Sequence, residues 1–171
     1  MPSADPMTAF DTIPWSSDGT LEVLTFELGG ETFAIEAAVL REIVDPLPET
    51  RVPGARGLVA SVVNFRGQVI PLADLRVGFG MAGGDHGADS RIVVFELMVD
   101  GTPIQVGIRT DRVNEVATLS IDTAEPPPEL GLGWPRELVR ALVRRGGGVV
   151  IVPDLTALIR PVLEGPASAA A

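Results

Sequence analysis

Apolar and polar residues alternate through the first ordered stretch of the chain. Leu24, Phe26 and Leu28 are separated by Thr25 and Glu27, and after Gly29-Gly30 the apolar positions resume at Phe33 and Ile35. A period of two puts one row of side chains on one face of a strand, and a glycine pair between two such rows marks a tight reversal. A second apolar run, 92–99, turns near Asp100-Gly101 into another at 104–108. Two further strand pairs are predicted to close on glycine, one running from 62–65 into 68–72 and one ending at 149–152. Gly67 and Gly147 stand where such a turn needs a left-handed residue. Residues 35–43 break the alternation. Ile35, Val39, Leu40 and Ile43 fall at i, i+4, i+5 and i+8, the stripe of a short helix or its equivalent turn. Over 136–145 two readings stand, a strand entering the glycine turn or a helix opening at Pro135 and ending at Gly146. A short helix is predicted from Asp154 to Ile159 with Asp154 as its N-cap.

The two parts of the chain resemble each other. Residues 58–75 set over 138–155 agree without a gap at Leu58/Leu138, Val59/Val139, Val63/Val143, Gly67/Gly147, Val69/Val149, Asp74/Asp154 and Leu75/Leu155. Upstream, Phe26-Glu27-Leu28 returns as Phe95-Glu96-Leu97, and Arg41-Glu42-Ile43 has an echo in Asn114-Glu115-Val116. The same elements therefore recur in the same order, with a few residues of slippage. Gly80 to Ser90, rich in glycine and aspartate, divides a first lobe at 20–79 from a second at 91–160 and is expected to be a mobile surface connection. Residues 1–19 are expected to form a flexible leader and 162–171 a frayed tail around a domain spanning 20–161. Lobes this small bury little surface alone. Packing them side by side would stabilise both and leave a groove at the seam.

Composition narrows the function. With 46% apolar residues, 19 glycines and 15 prolines among 171, the chain has enough apolar side chains for a core and a strand-and-turn texture. A net charge of −10 repels phosphate backbones and anionic membranes, so nucleic-acid binding and membrane docking are not expected. All 13 basic residues are arginine. There is no cysteine, which removes disulfides, thiol catalysis and thiolate metal sites, and suits a cytoplasmic protein. No apolar run has the length of a signal peptide or a membrane span.

Catalytic chemistry is hard to place. His86 is the sole histidine, without the partners of a triad or a zinc site, and is expected to be a solvated loop residue. Gly146-Gly147-Gly148 lacks the Lys-Ser/Thr of a phosphate loop and runs into strand-like Val149-Val150-Ile151, which indicates a hairpin turn. Asp74 and Asp154 occupy equivalent places before leucine, which suits capping. Pro126-Pro127-Pro128 is read as a stiff spacer. No catalytic residue, cofactor or metal is assigned. Arg66, at the predicted hairpin tip Asn64-Phe65-Arg66-Gly67, is the residue best suited to meet a partner, because its planar fork matches a carboxylate or a carbonyl.

That same segment, with Val69-Ile70-Pro71-Leu72-Ala73-Asp74-Leu75-Arg76, resembles the N-x-R-G…V-x-P-x-x-D-L-R signature of the CheW-like coupling domain of bacterial chemosensory systems. The resemblance extends to 26–35, to Leu40-Arg41-Glu42-Ile43, to Val52-Pro53-Gly54, and in the second half to Val106-Gly107-Ile108, Asp111, Val113, Glu115-Val116 and 127–130. It implies an all-β fold of two packed five-stranded SH3-like barrels with a few short helices. It also implies a non-enzymatic scaffold bridging the cytoplasmic tip of a methyl-accepting chemoreceptor and the regulatory domain of a CheA-type histidine kinase. Such a protein would be cytoplasmic and recruited to membrane receptor complexes. The family's receptor-facing residues map onto Leu40 and Glu42 in the predicted helical turn and onto Asn64, Arg66 and Gly67 at the hairpin. Kinase contacts are not assigned. Three places depart from the pattern: Ser61 replaces a usual glycine, Arg109-Thr110 a usual apolar pair, and 144–148 is more basic and richer in glycine. The alternatives are a scaffold of a pilus or surface-sensing pathway and, in another class, a small barrel holding a metabolite in the groove between its lobes.

Overall fold

The computed structural model describes residues 9–54, 58–128 and 135–169. The first half forms β1 (Thr20–Leu28), β2 (Glu31–Glu36), β3 (Leu40–Val44), β4 (Glu49–Arg51), β5 (Val59–Phe65), β6 (Gln68–Ala73) and α1 (Leu75–Gly78). The second half repeats the series as β7 (Arg91–Val99), β8 (Thr102–Thr110), β9 (Arg112–Ser120), β10 (Ala124–Glu125), β11 (Val139–Arg145), β12 (Gly148–Pro153) and α2 (Leu155–Ala169).

The repeat is visible in the backbone. The hairpins β1–β2, β5–β6, β7–β8 and β11–β12 each turn on two residues with positive φ: Gly29-Gly30 (60° and 81°), Arg66-Gly67 (52° and 80°), Asp100-Gly101 (50° and 81°) and Gly146-Gly147 (59° and 81°). This is the primed turn whose twist matches that of the flanking strands. Asp74 N–H donates to the Leu58 carbonyl and Asp154 N–H to the Leu138 carbonyl, both at 2.8 Å. The shared turn also measures the slippage upstream. It aligns Leu28 with Val99, so Phe95 is the counterpart of Leu24, and the two Phe-Glu-Leu motifs are offset by two residues.

The strands form two six-stranded sheets, ordered β10-β11-β12-β2-β1-β9 and β3-β7-β8-β6-β5-β4. Replacing each strand by its counterpart converts one order into the other. Neither sheet is made of one half of the chain, so the lobes expected at 20–79 and 91–160 are not separate bodies. Each half lends its first hairpin to the sheet built by the other half. The joins are parallel, β12 to β2 through Val150/Thr32 and Ile151/Phe33, and β6 to β8 through Leu72/Gly107 and Ala73/Ile108. Packing at the second join is tight: a Cβ on Gly107 would lie 3.1 Å from Ile92 Cγ2 and 3.3 Å from Leu72 Cδ1, so those side chains would have to give by a few tenths of an ångström. The expected five strands become six because the very short β4 and β10 each add an edge.

Three apolar clusters follow from this exchange. One lies within the first sheet, around Leu21, Val23, Leu119, Val143 and Val150. Another lies within the second, around Val63, Phe65, Ile70, Ile92 and Val94. The third and largest occupies the seam, where Phe26, Phe33 and Ile35 meet Phe79, Phe95, Val106, Ile108 and Leu158. Phe33 stacks on Phe26 at 5.7 Å and meets Phe79 edge-on at 5.2 Å. Where a groove was expected, the seam therefore carries a buried apolar core. A cleft of about 570 Å³ is bordered by Glu36, Val39, Met98, Arg140 and Arg160.

Other local expectations change. Residues 37–39 make a single 3-10 turn, and Leu40 and Glu42 lie on strand β3 instead of a helical turn. The strand reading holds for 139–145, after a 3-10 turn at Arg136–Leu138. Asp154 caps the last helix, accepting from Ala157 N–H at 3.0 Å, and that helix runs to Ala169, well into the expected tail. Within the expected leader, Ile13 is buried with Phe10 and Trp15 against the first sheet, and Arg140 donates to the Thr12 carbonyl at 2.9 Å. The remaining leader residues, 1–8, lie outside the described residues.

Candidate functional site: the β5–β6 hairpin and β3

The β5–β6 turn is braced from within. Asn64 Oδ1 accepts the Gly67 N–H at 2.9 Å, so the side chain closes the loop that its backbone opens. Arg66 takes the first left-handed position, which throws its side chain off the hairpin axis and over the Phe65 ring, 5.4 Å from the centroid. From there it forks onto Glu42, with Nε donating to Oε2 at 2.9 Å and an Nη donating to Oε1 at 2.6 Å. This bidentate geometry holds the Glu42 carboxyl below its ordinary value, chiefly through the hydrogen bond, and raises the Arg66 guanidinium in return. β3 and β5 are distant in the order of the sheet, so the sheet curls until the hairpin reaches β3.

Of the five residues expected to face a receptor, Arg66 pairs with Glu42 and Asn64 bonds Gly67, while Leu40 lies two positions before Glu42 on β3. Their exposure differs. The Arg66 side chain is 71% exposed and Glu42 32%. Leu40 is half-buried and packs on the seam core, so it offers an edge to a partner. Asn64 and Gly67 serve mainly to shape the turn. Opposite Asn64 across the hairpin, Val69 is 64% exposed, an apolar contact that strand alternation alone could have revealed. The first sheet carries a reduced counterpart, Gly146-Gly147 at the tip with Arg145 paired to Glu115 at 3.1 Å.

His86 corrects another expectation. Its side chain is only 8% exposed, with Nδ1 2.9 Å from Asp111 and Nε2 2.9 Å from an Arg76 guanidinium nitrogen. Because arginine only donates, Nε2 must accept, and Nδ1 then donates to Asp111. Arg76, itself 7% exposed, also binds both Asp74 oxygens and the Gly84 carbonyl. Asp111 accepts the Gly29 N–H at 2.9 Å. The connection expected to be mobile is therefore pinned to both halves. Among the described residues no group of three acidic, histidine or cysteine side chains could hold a metal.

Two interlocked sheets with an arginine-acid fork on an exposed hairpin define a β scaffold that acts through surface contact. The CheW-like domain model matches residues 22–162, and the chain belongs to that family. It is 27% identical to the probable chemotaxis protein CheW of Rhizobium etli over 83% of this chain and 89% of the relative. It is 29% identical to chemotaxis protein CheW of Klebsiella aerogenes over 81% of each chain. The crystal structure of the scaffolding protein TtCheW from Thermoanaerobacter tengcongensis is similar at a TM-score of 0.70 and 25% identity, over 79% of this chain and 84% of that one. The protein is a non-enzymatic adaptor of chemotaxis signal transduction.

Proposed function

We propose that this adaptor couples methyl-accepting chemoreceptors to a CheA-type histidine kinase, and that the receptor's cytoplasmic tip docks on Leu40, Glu42, Asn64, Arg66 and Gly67. The Arg66–Glu42 fork carries this reading. It holds a cation and an anion in fixed positions, with exposed Val69 on the same hairpin and half-buried Leu40 on the same strand as Glu42. A receptor helix laid across them would bury an apolar stripe, while the charges select its register and orientation. Pre-pairing on Glu42 orders the long arginine side chain before the partner arrives, which lowers the entropy lost on binding. The regulatory domain of the kinase is the second partner, and contact with both brings the protein to membrane receptor complexes. No described helix is long and apolar enough to cross a membrane, so the recruitment would run through the receptor.

The test is a pull-down from the source cells with wild-type and Arg66→Glu proteins, followed by mass spectrometry. Glutamate keeps the backbone cost at this left-handed position similar but sets two acids against each other. The wild type should retain a methyl-accepting receptor and a histidine kinase. The variant should keep its circular dichroism spectrum and the kinase while losing the receptor. Undiminished receptor recovery with Arg66→Glu would overturn the docking surface, and recovery of neither partner by the wild type would overturn the coupling role.

A further inference from the structure

The two halves of the chain complete each other's sheets, and 80–90 is the covalent link between them. β1 and β2 of the first half lie between β12 and β9 of the second, while β7 and β8 of the second lie between β3 and β6 of the first. The seam core mixes both halves, and Arg140 on β11 ties down Thr12. We infer that 80–90 is a latent hinge: with its contacts in place the chain stays a monomer, and once they are removed the halves exchange with a second copy, giving a reciprocal dimer in which 20–79 of each chain completes 91–160 of the other. This goes beyond the adaptor role and does not depend on it.

The exchange creates no new interface and loses none. Each strand pairing, each parallel join and the seam core are reproduced between chains. The balance between monomer and dimer therefore rests on the connection alone. A short flexible link holds the two halves of one chain at an effective concentration on the order of millimolar, which favours the monomer in dilute solution. Here the link is held further. Gly84 O and His86 are bound by Arg76 of the first half, and His86 is bound by Asp111 of the second. Met81 packs over Gly29, where an added Cβ would lie 2.7 Å from its sulfur. These contacts keep the connection folded back on its own body. Removing them, or shortening the link, withdraws the advantage of the monomer and leaves the inter-chain pairing intact.

The experiment deletes 82–88 and adds two cysteines to this cysteine-free chain, Glu22→Cys and Thr118→Cys, at exposed partner positions on β1 and β9. In a monomer or in a side-by-side dimer the disulfide closes within one chain. In a reciprocal dimer it joins two chains, which a non-reducing denaturing gel reads directly. The deletion should shift the protein from monomer to dimer in light scattering and give a covalent dimer on the gel, while the cysteine pair in the full-length chain should give only monomer. A folded deletion variant that stays monomeric, or dimerises with its disulfide inside each chain, would refute the exchange. If the deletion prevents folding, the full chain with a protease site replacing 82–88 is cut after folding. The inference then requires the cut halves to stay together as one particle with an unchanged spectrum. It is overturned if they separate as two folded pieces.

Discussion

Replacing Phe79 by alanine should destabilise the whole molecule at once. Phe79 is 1% exposed and ends α1, which follows the last strand its half gives to the second sheet. Its ring meets Phe33 of the first sheet edge-on at 5.2 Å, and Phe33 in turn stacks on Phe26. Truncation removes a fully buried ring from the seam and leaves a cavity that two rigid sheets cannot close, a cost of about 3–5 kcal/mol. Roughly 1 kcal/mol of that is the aromatic contact itself. Domains of this size have about 5–15 kcal/mol in total. At about 2–4 °C per kcal/mol, the midpoint should fall by roughly 6–20 °C. Thermal and urea unfolding followed by far-ultraviolet circular dichroism measure this, with Phe79→Leu as the partner that keeps most of the volume and should lose less than half as much. Because both sheets share the seam and each contains strands of both halves, one transition should move as a unit. A loss below about 1 kcal/mol, or two transitions of which only one shifts, would refute the reasoning.

The two helix caps should differ in worth although their positions are equivalent. Asp154→Ala removes one cap bond and should cost about 1 kcal/mol in urea unfolding at constant slope. Asp74→Ala should cost about 2–3 kcal/mol, because it also leaves the buried Arg76 guanidinium without its carboxylate; equal losses would contradict this. The folded Glu42 carboxyl is depressed by Arg66, so what the pair contributes is present above the ordinary carboxylate value and is lost only as pH falls through the lower folded value. Receptor affinity, followed by titration, should be level from about pH 5 to pH 8, and a decline between pH 8 and pH 6 would show that another group controls the site.

Local signals in the chain determined much of this protein. Alternation and glycine pairs located the hairpins, because a primed two-residue turn needs left-handed residues and a strand repeats every two positions. The repeat of 58–75 in 138–155 marked the duplication, down to the capping aspartates. The ordered motif around Asn64-Phe65-Arg66-Gly67 indicated the family, with the receptor-facing set as its implication. Tertiary structure decided the rest. Which sheet a hairpin joins depends on parallel pairing such as Val150/Thr32 and Leu72/Gly107, between residues far apart in sequence. No periodicity carries that information, so 20–79 and 91–160 looked like lobes. The spacing of Ile35, Val39, Leu40 and Ile43 imitated a helix because strand β2, one 3-10 turn and strand β3 together place apolar residues at the same intervals. His86 looked solvated because its loop is full of glycine, yet Arg76 and Asp111 reach it from either side. The partner of Arg66 was likewise hidden, since only the curl of the sheet brings Glu42 within reach of its fork.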